Sequence, residues 1–239
     1  MRLPEPFIKI CSLREPQQAE FAVAAGASAV GLIFAEARRQ VTVDRAVEIV
    51  RELRRLDGDQ PFLVVGVFVD QAADEINGVA ERVGLDLVQL HGFEIPEVVA
   101  RIERPVIKVV RTAGGQDGWA FDGYESLAVP PIAYLVDGHS TSGAGGTGAR
   151  GDWTAASELA LGSHLVLAGG LTPENVGDAV RAVRPFGVDV STGVEIEGVK
   201  DRAKVIAFVG AARAAFAGLD VGENGVVPIS EAAEPVHRP

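Results

Sequence analysis

The chain has 239 residues, a formal net charge of −11 and 47% hydrophobic residues. An acidic balance argues against a nucleic-acid partner, because neutralising phosphates requires clustered lysine and arginine. The longest apolar runs, such as 62–69, are far shorter than the roughly 20 residues of a membrane helix, and the N-terminus does not resemble a signal peptide. One cysteine excludes an internal disulfide and fits a reducing compartment. We therefore expect a cytoplasmic protein with no membrane partner.

Eight short runs rich in apolar and β-branched residues predict strands along the chain. Near-continuous apolar runs of this length are typical of parallel strands that are covered on both faces. The predicted strands are 7–11, 29–34, 62–69, 87–91, 106–111, 133–137, 164–170 and 187–191.

The segments between these runs carry helical periodicity. Apolar residues recur at helical spacing within 76–83 and within 205–216, which places them on one helix face. Thr172 and Pro173 predict a helix start, as an N-cap threonine followed by proline at the first helical position. The segment 114–129 is short and glycine-rich, and it predicts the weakest of the helices.

Eight strand-then-helix units in this length predict an α/β protein that forms a single-domain (β/α)₈ TIM barrel. A doubly wound open sheet is the alternative. We expect the barrel to cover 1–217 and the segment 218–239, which is rich in Pro, Gly and Glu, to be a flexible C-terminal tail. In such barrels, functional residues lie where strands end and βα loops begin.

The ends of the last two predicted strands indicate a phosphate site. Gly169 and Gly170 end the seventh strand, and Ser191, Thr192 and Gly193 end the eighth. Backbone N–H groups reach phosphate oxygens where no Cβ intervenes, and barrels frequently bind phosphate at these two loops beside a short extra helix, which 194–201 could hold. Tight turns alone could also explain the glycines, but their presence on adjacent late strands favours phosphate binding.

A glycine-rich run at 143–148, GAGGTG, matches G-x-G-x-x-G. It does not follow its strand directly, does not open a helix, and lacks an acidic strand-end residue about 20 residues later, so we reject a dinucleotide site. A flexible surface loop and an active-site lid both remain open. No spacing of His, Cys, Asp and Glu resembles a metal site, so none is predicted.

Several reactive side chains lie at predicted strand ends. Asp137 and Asp189 are acids in or at the end of strands, where burial requires a partner or a function, so Asp137 could cap its loop or act as a general acid. Arg39 follows the second strand, and arginine pairs bidentately with carboxylate or phosphate. Cys11 ends the first strand, either as a small buried hydrophobe or as a reactive group.

Taken in order, the motifs resemble the phosphoribosylanthranilate isomerase family of tryptophan biosynthesis. No single motif is decisive, but the ordered set is specific and runs from residue 8 to about residue 201. The matching segments are IKIC, GASAVGLIFAEARRQVT, VGVFVD, LVQLHG, YLVD, GGTG, DW, LAGGLTPENV and GVDVSTGVE followed by GVKD.

The resemblance implies an isomerase that needs no cofactor and no metal. The reaction is the Amadori rearrangement of N-(5′-phosphoribosyl)anthranilate to 1-(2-carboxyphenylamino)-1-deoxyribulose 5-phosphate. Asp137 matches the general acid that protonates the ribose ring oxygen, and Cys11 matches the general base that removes the C2′ proton. Arg39 matches an arginine near the anthranilate, and Asp189 resembles a carboxylate that assists.

The resemblance also covers the phosphate end of the substrate. The implied partner is a small phosphorylated molecule, bound by a monomer or a homodimer. One departure is Ser12, because the family usually has glycine after the cysteine. The positions that match the phosphate-binding loops are Gly169, Gly170, Ser191, Thr192 and Gly193, and those expected in the substrate-binding lid are Gly145 and Gly146.

Two other functions are possible for such a barrel. A sister isomerase of histidine biosynthesis, or a dual-specificity form, would use an aspartate at the end of the first strand, so Cys11 argues against it. A degenerate barrel could bind a sugar phosphate without catalysis, which the presence of both Cys11 and Asp137 disfavours.

Overall fold

Eight parallel strands close into a barrel in sequence order, with the first strand paired to the eighth. This computed structural model describes residues 1–56, 61–110, 123–137, 153–160 and 164–219. The predicted (β/α)₈ barrel is confirmed and the open-sheet alternative is wrong. The strands are β1 (Phe7–Ile10), β2 (Ala29–Ile33), β3 (Leu63–Phe68), β4 (Leu87–Leu90), β5 (Val106–Val110), β6 (Ala133–Asp137), β7 (Leu165–Ala168) and β8 (Gly187–Val190).

Helices follow most of the strands and cover the outside of the barrel. Thr42 caps the second helix by accepting from the N–H of Arg45, and Asp201 caps the last by accepting from the N–H of Lys204. No described helix is long and apolar enough to span a membrane. The helices are α1 (Pro16–Ala24), α2 (Val43–Leu53), α3 (Ala73–Val83), α4 (Pro96–Val99), α5 (Trp153–Ala160), α6 (Val176–Val183) and α7 (Arg202–Ala217).

After β8 the chain forms two small elements that position the site. A 3₁₀ turn covers Thr192–Val194, and an antiparallel hairpin follows it as β9 (Glu195–Ile196) and β10 (Val199–Lys200). The short helical element is therefore only one turn long, and most of the segment expected to hold it is a hairpin.

The start of α6 and the helix expected at 114–129 differ from the sequence predictions, and part of that helix and most of the expected tail lie outside the described residues. Helix α6 begins at Val176 rather than at Pro173, because the Thr172 carbonyl first accepts from the N–H groups of Asn175 and Val176 in a turn. Of the helix expected at 114–129, residues 123–129 form turns, and 114–122 lie outside the described residues. The expected tail lies outside them beyond Leu219.

The core has two layers because successive side chains of each strand face opposite sides. One layer lies between strands and helices and includes Ile8 and Ile10 of β1. The other fills the barrel interior and includes Phe7 of the same strand. Lys9 and Cys11 follow Phe7 at intervals of two, so the interior changes from apolar to polar toward the carboxyl ends of the strands.

Candidate active site

A pocket opens at the carboxyl ends of the barrel strands. About 790 Å³ of space lies between its walls, and this figure includes open solvent. Gly145 and Gly146 lie outside the described residues. The other sequence-predicted site residues all line this pocket: Cys11, Arg39, Asp137, Gly169, Gly170, Asp189, Ser191, Thr192 and Gly193.

Cys11 lies at the base of the pocket, where β1 meets β8. Its backbone N–H donates to the carbonyl of Val190 at 2.8 Å, and the residue is 7% exposed. Gly31 of β2 leaves room for it, because a Cβ at Gly31 would lie 2.8 Å from the Cys11 Sγ and 3.0 Å from the Lys9 Cε. The thiol and the stem of Lys9 therefore occupy space that any larger residue at 31 would fill.

Lys9 and Asp189 form a buried ion pair beneath the thiol. The two residues are register partners in β1 and β8, and Lys9 Nζ donates to Asp189 Oδ1 at 3.0 Å. Burial would lower the pKa of Lys9, but Asp189 and then Cys11 outweigh it, so the pKa is raised and the ammonium stays charged.

Burial raises the pKa of the Cys11 thiol, while the positive charges of Lys9 and Lys200 oppose that shift. A cation close to a thiol lowers its pKa and makes the thiolate more available. Here the desolvation of the thiolate exceeds the effect of the two cations.

Asp137 reaches the pocket from β6, three strands from β1 in the order of the barrel. It is the last residue of its strand and is partly buried. The thiol and this carboxyl group therefore enter the same cavity from different parts of its wall, an arrangement that suits proton removal and proton donation on one small molecule.

Arg39 is held at the pocket wall by a carboxylate that the sequence did not single out. Its Nε donates to Glu195 Oε1 at 2.9 Å and its Nη2 to Oε2 at 2.6 Å. Lys200, the register partner of Glu195 in the hairpin, donates to Glu195 Oε1 at 2.6 Å. The guanidinium is fixed in a bidentate pair and still lines the pocket.

The charges of this cluster are coupled. Burial would raise the pKa of Glu195, but hydrogen bonds from Arg39 and Lys200 outweigh it and lower the pKa. Burial lowers the pKa of Lys200, against the opposing effect of Glu195. The carboxylate is thus held ionised between two cations.

The loops after β7 and β8 pack directly against each other. A Cβ at Gly193 would lie 1.8 Å from the carbonyl oxygen of Leu171, so only glycine permits this approach. Asn175 fixes the first loop by donating from Nδ2 to the carbonyl of Gly170 at 2.9 Å. The two loops form one continuous wall of the pocket, with backbone groups that an anion could approach.

Gln89 and His91 line the pocket although the sequence analysis gave them no role. Gln89 on β4 and His91 just after it follow Leu87 at intervals of two, and polar residues on the inward face of an apolar strand are the signal that could have found them. Gln89 Nε2 lies 3.1 Å from His91 Nδ1, and Gln89 Oε1 has no hydrogen-bond partner among the described residues. Within the described part of the chain, no group of three or more His, Cys, Asp or Glu could hold a metal ion.

Comparisons with known proteins by sequence and by structure match this chain to the same family. Residues 8–211 match the family model described as N-(5′-phosphoribosyl)anthranilate (PRA) isomerase. Two relatives named N-(5′-phosphoribosyl)anthranilate isomerase are each 44% identical. The protein from Roseiflexus castenholzii matches 87% of this chain and 98% of its own length, and that from a Geobacter species matches 86% and 97%.

Among solved structures, phosphoribosyl anthranilate isomerase from Thermotoga maritima superposes with a TM-score of 0.75 at 35% identity, covering 87% of this chain and 98% of its own. A second isomerase structure, in complex with reduced 1-(o-carboxyphenylamino)-1-deoxyribulose 5-phosphate, gives a TM-score of 0.71 at 33% identity with the same coverage. The chain belongs to the N-(5′-phosphoribosyl)anthranilate isomerase family.

Proposed function

We propose that this chain catalyses the Amadori rearrangement of N-(5′-phosphoribosyl)anthranilate in tryptophan biosynthesis, with Cys11 as base and Asp137 as acid. The observation that carries the assignment is one pocket, in a barrel of this family, that a thiol, a carboxyl group and two adjoining glycine-bearing loops line together. The substrate is a small phosphorylated molecule, and we place the reaction in the cytoplasm.

The first half of the reaction opens the ribose ring. Asp137 donates a proton to the ring oxygen while the C1′–O bond breaks, and the lone pair of the anthranilate nitrogen forms the C1′=N bond. The product is an open-chain protonated Schiff base. Its positive nitrogen acidifies the C2′ proton, so the substrate itself supplies the electron sink for the next step.

In the second half, Cys11 removes the C2′ proton. The C–H electron pair forms a C1′=C2′ double bond and neutralises the nitrogen, which gives an enolamine. Proton transfer from the C2′ hydroxyl to C1′ then produces the ketone, so the substrate gains or loses no net proton or electron. A proton passes from the Cys11 thiol to the Asp137 carboxylate through solvent and restores the base and the acid. The Lys9 ammonium favours the thiolate that this step requires, and Asp189 holds that ammonium in place.

The remaining pocket residues orient the two ends of the substrate. The phosphate lies against the loops of Gly169, Gly170 and 191–193, where backbone N–H groups can donate to its oxygens. Arg39, fixed by Glu195, faces the anthranilate carboxylate. Binding at both ends places the ribose between the acid and the base.

The test is steady-state turnover of N-(5′-phosphoribosyl)anthranilate beside turnover of the sugar-phosphate substrate of the histidine-pathway isomerase. We expect conversion of the first and none of the second. Conversion of both would establish a dual-specificity enzyme. Binding of the first without conversion would establish the degenerate barrel, and either result would contradict the proposal.

A further inference from the structure

Ser12 adopts a backbone conformation that serine disfavours. Its φ is +61°, in the left-handed region that favours glycine, and the residue is 2% exposed. A strained conformation of this kind persists only where the surrounding contacts hold it. The contacts of the Ser12 hydroxyl therefore require an explanation.

That hydroxyl has three partners behind the wall of the pocket. Ser12 Oγ donates to the carbonyl of Cys11 at 2.7 Å, accepts from Lys200 Nζ at 3.2 Å, and contacts the Ser191 Oγ. Ser191 lines the pocket, whereas Ser12 and Lys200 are not among the described residues that line it. A line of hydrogen bonds thus runs from a buried ammonium through Ser12 to the hydroxyl of a residue that lines the pocket.

Each serine hydroxyl has a single proton, so the hydrogen bonds between Lys200, Ser12 and Ser191 can be arranged in two ways. A hydroxyl has one proton and two lone pairs, and an ammonium only donates. If Ser12 donates to the Cys11 carbonyl, Ser191 must donate to Ser12 and can present only lone pairs to the pocket. If Ser12 instead donates to Ser191 Oγ, the Ser191 proton becomes available to the pocket.

A phosphate dianion accepts hydrogen bonds and is repelled by lone pairs, so it selects the second arrangement. We propose that Ser12 is a positioning residue for the phosphate end of the substrate: it turns its proton toward Ser191 when phosphate binds, and Ser191 then donates to the phosphate. The inference rests on the proposed function, because it assigns a phosphate group to this wall.

Lys200 strengthens the same line from behind. Its ammonium also donates to the Ser191 carbonyl at 2.9 Å, so one cation contacts both ends of the serine pair. A chain of hydrogen bonds that begins at a positive charge polarises each member toward its acceptor. The Ser191 proton is then a better donor to an anion than that of an isolated serine.

The experiment measures competitive inhibition by inorganic phosphate against turnover of N-(5′-phosphoribosyl)anthranilate. Ser12→Gly removes the hydroxyl and the backbone strain, whereas Ser12→Ala removes the hydroxyl and keeps the strain. We expect the phosphate inhibition constant and the KM to rise about tenfold in both variants, with kcat within about twofold of the original protein.

The glycine variant guards against loss of folding, since glycine accepts this φ without strain. Ser28→Ala is the matched control, because the Ser28 hydroxyl is also buried and accepts from the N–H of Ile8, away from the pocket. We expect that variant to retain the phosphate inhibition constant of the original protein.

Three results would overturn the inference in distinguishable ways. If inorganic phosphate competes equally well in the original protein and in both Ser12 variants, the phosphate site stands and the role of Ser12 is wrong. If phosphate does not compete in the original protein, the phosphate assignment in the proposed function is itself wrong. A fall in kcat at unchanged inhibition constant would also contradict a role at the phosphate end.

Discussion

Besides the Lys9–Asp189 pair, the described residues form two buried ion-pair clusters at the carboxyl ends of the strands, and the two differ in what they face. The pocket cluster is Arg39, Glu195 and Lys200, and the rim cluster is Glu94 and Lys108. In each, burial would raise the pKa of a glutamate, and cationic partners outweigh it and lower the pKa. Arg39 lines the pocket, whereas neither member of the rim cluster is among the described residues that do.

The rim cluster is satisfied within itself. Lys108 Nζ donates to Glu94 Oε2 at 2.8 Å and to the carbonyl of Gly92 at 2.9 Å. Glu94 Oε1 accepts from the N–H groups of Asp70, at 3.0 Å, and Gly92, at 2.9 Å. Tyr124 donates its hydroxyl to the Glu94 carbonyl. These bonds join the segments that follow β3, β4 and β5 to one another and to a lysine of β5 itself.

Chemically similar ion pairs therefore have different roles in this barrel. The pocket cluster presents one guanidinium to a ligand, so damage to it should appear in binding. The rim cluster directs its groups at its own backbone, so damage to it should appear in stability.

The largest effect is expected on the pocket side, at the acid and the base. Cys11→Ala and Asp137→Ala should each lower kcat by about 10² to 10⁴-fold, the usual contribution of a positioned proton-transfer group. Steady-state kinetics and thermal unfolding of both variants measure this. Near-normal turnover in either variant would remove the role assigned to that residue, and loss of folding would show that it is structural.

Next comes the rim cluster. Glu94→Gln leaves the Lys108 ammonium buried without a counter-charge and should lower the free energy of unfolding by about 3 kcal/mol. Because no group of the cluster faces the pocket, kcat/KM of the folded variant should stay within about twofold. Urea unfolding and turnover below the transition check both; a large activity loss in a folded variant would break the division between the clusters.

Glu195→Gln should differ from Glu94→Gln in its effect on activity. It removes the bidentate hold on Arg39, and we expect kcat/KM to fall about tenfold, chiefly through KM. The free energy of unfolding should also fall by about 3 kcal/mol, because the Lys200 ammonium is left buried without a counter-charge. The two glutamine variants are matched controls for each other.

The smallest effect is a pH dependence shared by the two clusters. The pKa of Glu94 is lower in the folded protein than in the unfolded chain. At pH values between these two pKa values, Glu94 binds more protons in the unfolded chain, so the free energy of unfolding rises with pH over that range. Its contribution is present at neutral pH and is lost as pH falls below about 4.3, the ordinary glutamate value. The difference in unfolding free energy between the original protein and Glu94→Gln should therefore shrink on acidification. A difference that grows at low pH would reverse the sign of this argument.

The sequence predicts the barrel well because apolar strand runs and strand-end chemistry are local patterns. Cys11, Asp137 and Ser191 could be placed at one edge from the position of each in its own run, since parallel strands bring their carboxyl ends together. Glu195 and Lys200 could not, because their role depends on a hairpin that sets them against Arg39 from a distant loop. The left-handed backbone conformation of Ser12 could not be predicted from the sequence either, because serine rarely adopts it.

The start of α6 shows that residue types alone do not fix where a helix begins. Thr172 and Pro173 have the residue types of a helix start, but the Asn175 side chain accepts from the Thr172 N–H at 2.8 Å and stabilises a turn first. The Thr172 N–H has no acceptor within the helix, so this bond satisfies it as a capping side chain does. The regular helix begins only at Val176, because residues 173–175 form a turn.

The ion pair of Lys9 and Asp189 lies at the seam where the first strand meets the last. The partners are 180 positions apart in sequence, so the pair forms only when the chain has been synthesised almost to the end of the barrel. The pair therefore crosses the contact that closes the barrel, between its first strand and its last. The ammonium that lies near the thiol thus also ties together the two ends of the sheet.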